Sequence, residues 1–128
     1  MKLPERHLSY LKEIHFQDWG HFAYDGGKWS DAAYYRKSTG NIYVKNLVQQ
    51  TVFHEVGHRV WYKGLTARQS AWWIKQFDLL QSGKIVGPSR YAYNNVREFF
   101  AECYGYYYAP STYRRVPKTV KEWFRNNF

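Results

Sequence analysis

The chain has 128 residues, 19 of them Lys or Arg and 10 Asp or Glu, so its formal charge is +9 with five histidines taken as neutral. That length suits a single domain over residues 1–128, and 45% hydrophobic residues with only four prolines exclude a disordered or fibrous chain. A single cysteine, Cys103, excludes an internal disulfide framework and a Cys-rich structural zinc site, and no run approaches the roughly 18 apolar residues of a membrane helix.

The first sixteen residues interrupt their apolar positions with charges and carry no secretory h-region, so the expectation is a soluble, cytoplasmic protein with no membrane partner. The basic residues are spread along the chain, densest at Arg114, Arg115, Lys118, Lys121 and Arg125. A solvated basic face explains such a spread better than a track for phosphates, which makes nucleic acid the weaker partner expectation.

A first helix is expected from Pro4 to about Lys12, then a short strand over Glu13 to Gln17 and a loop over Gly20 to Ser30. Ala32–Lys37 and Asn41–Lys45 are rich in Tyr, Ile and Val and flank Ser38-Thr39-Gly40, which predicts two strands of a hairpin. Asn46 suits the N-cap of a helix over Leu47–Tyr62, where Val48, Val52, Val56 and Val60 recur every fourth residue. Thr66 caps a second long helix over Ala67–Gln81, closed by Ser82-Gly83. Lys84–Tyr93 is expected as a loop, a third helix runs from about Asn95 to Tyr108, and a last one starts near Pro117.

Within the valine-striped helix stands His54-Glu55-Val56-Gly57-His58. Two histidines four apart lie on one helix face and can share a Zn²⁺, with Glu55 beside them as general base toward a metal-activated water. Chance produces about 0.01 such pentapeptides in a chain of this composition, so coincidence is a poor explanation. A catalytic zinc needs a third protein ligand. No histidine follows His58, which leaves the acidic residues Asp78, Glu98, Glu102 and Glu122. Glu98 and Glu102 share a face of the third helix, and that pattern suggests one zinc ligand and one acceptor that orients a histidine. Gly105 continues the same face without a side chain, and with Gly57 it predicts a close approach of the two helices.

Together with HEVGH, the stretch Tyr91-Ala92-Tyr93-Asn94-Asn95-Val96-Arg97-Glu98-Phe99-Phe100-Ala101-Glu102 resembles the catalytic domain of anthrax lethal factor and the related Pro-Pro endopeptidases, which are gluzincin-type zinc metallopeptidases. The resemblance covers residues 47–128 and includes Pro117-Lys118-Thr119 and Trp123-Phe124. It implies an α+β, minimal zincin-like fold: a small β-sheet, a zinc-binding helix and a glutamate-bearing helix. It also implies Zn²⁺ held by His54, His58 and Glu98, with Glu102 supporting a zinc histidine and Tyr91 assisting catalysis. A phenol there can donate to the oxyanion of a tetrahedral intermediate. In zincins an edge strand receives the substrate as an added strand, and by position Asn41, Ile42, Tyr43 and Val44 are the candidates.

The expected function is zinc-dependent hydrolysis of a protein or peptide substrate, with the positive charge favouring acidic segments. Two alternatives stand beside it: a metallopeptidase that cleaves repressors of phage or mobile elements, and a basic nucleic-acid or partner-binding module with a non-catalytic zinc. His7, His15 and His21 show no metal-like spacing and are expected at the surface or as caps. Trp72, Trp73 and the Tyr104, Tyr106, Tyr107, Tyr108 cluster are expected in the core.

Overall fold

The computed structural model of the protein describes residues 3–9, 14–16, 33–36, 41–44 and 49–128. Helix α1 (Glu5–Leu8) is followed by strands β1 (Ile14–Phe16), β2 (Ala33–Arg36) and β3 (Asn41–Val44). Four longer helices follow: α2 (Gln49–Lys63), α3 (Ala67–Gln81), α4 (Val96–Tyr108) and α5 (Lys118–Asn127). Single 3-10 turns at Tyr91–Tyr93 and Tyr113–Arg115 precede and follow α4.

The helix boundaries have local causes. Thr66 and Gln69 form a reciprocal capping box at the start of α3, and the Asn95 side chain accepts from the Glu98 backbone N–H to start α4. At the end of α3, Gly83 takes φ +76°, while its N–H donates to Leu80 O and that of Lys84 to Leu79 O. That pairing satisfies the last carbonyls of the helix and needs the left-handed conformation that glycine adopts without a Cβ clash.

α4 is the central element. Every residue from Phe99 to Tyr108 is buried, consistent with its near-continuous aromatic and small-residue composition. Trp73 of α3 is fully buried against it, with its ring centroid 5.3 Å from Phe99 and 4.9 Å from Phe100, and α5 adds Val120, Trp123 and Phe124. The aromatic clusters expected in the core lie there, with Trp72 half-buried at its edge and stacked on Trp123.

The expected α+β class is corrected. The body of the protein is helical. Among the described residues the strands hold three, four and four residues, against 15, 15, 13 and 10 in α2, α3, α4 and α5. The strand order is β1-β3-β2, with β3 parallel to β1 and antiparallel to β2. This corrects the substrate-strand expectation as well: Asn41, Ile42, Tyr43 and Val44 form the central strand. Ile42, Tyr43 and Val44 pair with β1 on one side and β2 on the other, and Asn41 with Arg36 of β2, so among the described residues 42–44 offer no open edge for a substrate.

The first helix ends at Leu8 rather than near Lys12, with a turn at Ser9. The loop expected over 84–93 contains the 3-10 turn that carries Tyr91. The expectations for Gly20–Ser30, Ser38-Thr39-Gly40, Asn46, Leu47 and Val48 lie outside the described residues, as does His21. Among the described residues, no helix is long and apolar enough to cross a membrane.

Candidate metal centre

α2 and α4 meet at their glycines. A Cβ on Gly105 would lie 2.8 Å from both Gln50 O and His54 N, and one on Gly57 would lie 3.0 Å from Ala101 Cα and Tyr104 Cβ. The expected close approach is therefore present, backbone against backbone, and it brings the histidine face of α2 onto the glutamate face of α4.

At this seam the three residues implied as zinc ligands converge. His58 Nε2 lies 3.1 Å from His54 Nε2 and 3.1 Å from Glu98 Oε1, and His54 Nε2 lies 3.2 Å from Glu98 Oε2. Three ligands of a tetrahedral Zn²⁺ stand about 3.3–3.6 Å apart, as follows from bond lengths of about 2.0–2.2 Å. An opening of a few tenths of an ångström would admit the ion. The donor set fits too: two imidazoles and a carboxylate suit zinc. Glu98 Oε2 is buried without a hydrogen-bond partner of good geometry among the described residues, although His54 Nε2 is near.

Glu102 plays the supporting part. His54 Nδ1–H donates to Glu102 Oε2 at 2.6 Å, which fixes the ring and turns Nε2 toward the centre. The carboxylate is itself held by Gln50 Nε2 at 3.1 Å and by Ser89 Oγ, which donates to Oε1 at 2.5 Å. Sequence reasoning missed both of these residues. Gln50 carried a signal, since it precedes His54 by one turn; Ser89 lies in a loop and carried none.

Glu55 is buried, with Oε1 3.8 Å from His54 Nε2 and Oε2 without a hydrogen-bond partner among the described residues. His54, Glu55 and His58 offer ligand atoms within 4.8 Å of one another, but Glu98 approaches both Nε2 atoms more closely. Glu98 is thus the carboxylate nearer to both Nε2 atoms, with Glu55 beside them. Tyr91 is 48% exposed, and its ring centroid lies 5.9 Å from that of His54, at the solvent side of the site.

Burial alone would raise Glu98, but the imidazoles of His54 and His58 beside it push it down to about 2. Glu102 is likewise lowered, burial being outweighed by the bonds from His54, Ser89 and Gln50. Burial lowers His54, but its bond to Glu102 and its contact with Glu98 outweigh that and hold it up at about 10. Glu55 goes the other way: burial raises its pKa, against the pull of His54 and His58. Their surroundings thus hold Glu98 and Glu102 low and Glu55 high.

Cys103 is buried with its thiol pushed well up by burial, and it takes no part in the centre. His7 corrects an expectation. It is not at the surface: it is 0% exposed, and its Nδ1 lies 2.9 Å from Tyr104 Oη.

Comparison of the chain with family models, with curated proteins and with solved structures finds no match. The reading of this centre therefore rests on its own geometry.

Proposed function

We propose that the protein is a zinc-dependent endopeptidase in which His54, His58 and Glu98 hold the metal. One observation carries the reading: two histidine Nε2 atoms and one carboxylate stand within 3.1–3.2 Å of one another, with the buried carboxyl of Glu55 beside them. Zinc, when bound, supplies a Lewis acid and brings a water into the neutral range for deprotonation. Glu55 is the proton acceptor at its Oε atoms. Burial raises its affinity for a proton, against the pull of His54 and His58, and a stronger base takes up a proton more readily. Glu102, fixed by Ser89 and Gln50, keeps the proton of His54 on Nδ1. Tyr91, exposed and with its ring centroid 5.9 Å from that of His54, is assigned donation from its phenol to the developing oxyanion.

A non-catalytic zinc site on a nucleic-acid-binding module has no use for a buried general base, and Glu55 weighs against it. The test is cleavage of a pooled peptide library by zinc-loaded protein. The native chain is expected to cut, and Glu55→Gln, carrying the same zinc, is expected to be at least about 10²-fold slower. Equal cleavage by both, or none by the native chain, overturns the proposal.

A further inference from the structure

The seam between α2 and α4 continues past the metal centre. Its contacts run in order: Gly105 against Gln50 and His54, Glu102 on His54, Glu98 on His54 and His58, and last Arg97 on Tyr62. Arg97 Nη1 donates to Tyr62 Oη at 3.3 Å. Tyr62 follows His58 by one turn, so this pair stands about 6 Å further along α2 than the second histidine. An extended substrate advances about 3.3–3.4 Å per residue. For a substrate lying along α2, a side chain within two residues of the scissile bond comes within reach of the guanidinium.

Arg97 is also in an unfavourable place for a purely structural cation. It is exposed in the first turn of α4, where the helix dipole disfavours positive charge. Its hydrogen-bond partner among the described residues is a neutral phenol, not a carboxylate. A guanidinium offers five N–H groups in a planar fork that matches a carboxylate in a two-point contact. Tethering one edge to Tyr62 reduces the freedom lost when the other edge binds.

Resting on the endopeptidase reading of the same centre, we propose that Arg97, steadied by Tyr62, is a specificity-determining residue that receives a carboxylate of the substrate. The carboxylate comes either from an Asp or Glu side chain or from the C-terminus of a peptide. Glu98 anchors the metal, and its neighbour in sequence reads the charge of the chain being cut.

Zinc-loaded Glu55→Gln protein serves as a non-hydrolysing trap, and the probes are pooled random decapeptides with blocked ends. One pool contains Asp and Glu, a second replaces them by Asn and Gln, and a third resembles the second with a free C-terminal carboxylate. About tenfold enrichment of the first pool over the second identifies the side chain as source, and of the third over the second identifies the terminus. Adding Arg97→Gln should bring the ratio to about one, with zinc content and Tm unchanged. Arg97→Lys should keep part of the preference, and Tyr62→Phe should reduce it about two- to threefold. Arg114→Gln, with the same change in net charge, should leave it intact. Equal retention of all pools, no retention, or a preference unaltered in Arg97→Gln overturns the inference. The two claims separate cleanly. Cleavage by the native chain without charge preference removes this inference and leaves hydrolysis standing, whereas charge-selective retention without cleavage does the reverse.

Discussion

Glu98 and Glu102 sit one turn apart on the same helix, yet their neighbours give them different work. Glu98 meets the Nε2 atoms of both histidines, whereas Glu102 meets Nδ1 of His54 and two further donors. Glu102→Gln keeps the size of the side chain but cannot accept at both oxygens, so it should weaken zinc about 10- to 100-fold in chelator competition. An unaltered affinity would remove Glu102 from the support of the site. This part of the site was legible early because a helix fixes it: the spacing of four places His54 with His58 and Glu98 with Glu102 whatever else the chain does. Spacing alone left the two glutamates equivalent; the family resemblance pointed to Glu98, and in the packed helices it is Glu98 that approaches both Nε2 atoms. Ser89 shows the opposite case, since a loop serine thirteen residues before its acceptor has no periodicity to announce it.

At the scale of elements, the centre depends on how closely α2 and α4 approach. Ala in place of Gly105 would gain up to about 1 kcal/mol of helix propensity, but its Cβ would meet backbone atoms of Gln50 and His54 at 2.8 Å. Backbone cannot rotate away, and overpacking of this kind costs about 1–3 kcal/mol. Gly105→Ala is therefore expected to lower Tm and to weaken zinc together, as the histidine face is pushed off the glutamates. A stabilised variant with native zinc affinity would contradict the close contact. The glycines were readable as a pattern on a helix face. The place of β3 was not, because which strand lies in the middle of a sheet is decided by pairings distant in sequence, and nothing within residues 41–44 records it.

At the scale of the whole molecule, the N-terminal helix is tied to the far end of the chain. His7 packs against Tyr104 and, edge-on, against Phe128, with ring centroids 4.3 Å apart for the second pair, while Arg6 donates to Asn127 O at 3.1 Å. Burial and then the charge of Arg6 lower His7 from 6.5 to about 4. The sign follows from linkage. Above pH 6.5 the ring is neutral in both states; between 6.5 and 4 only the unfolded chain gains the proton, so stability falls with falling pH, by on the order of 3 kcal/mol in full. His7→Gln should remove this part of the acid slope even if it is less stable at pH 7, and an unchanged slope in urea unfolding would contradict the burial. The partner of His7 lies 97 residues away, which is why its own neighbourhood in the sequence suggested a surface residue. Zinc should bind the assembled seam and not the unfolded chain, and at one hundred times its Kd it should add about 2.7 kcal/mol to stability, read as a rise in Tm that a chelator reverses. The most direct test of the centre is equilibrium zinc binding, measured for the native chain, Glu98→Ala and Glu55→Gln. About one zinc per native chain is expected, with Glu55→Gln close to native and Glu98→Ala weakened at least about 100-fold. No zinc on the native chain, or a loss in Glu55→Gln as large as that in Glu98→Ala, would contradict the assignment.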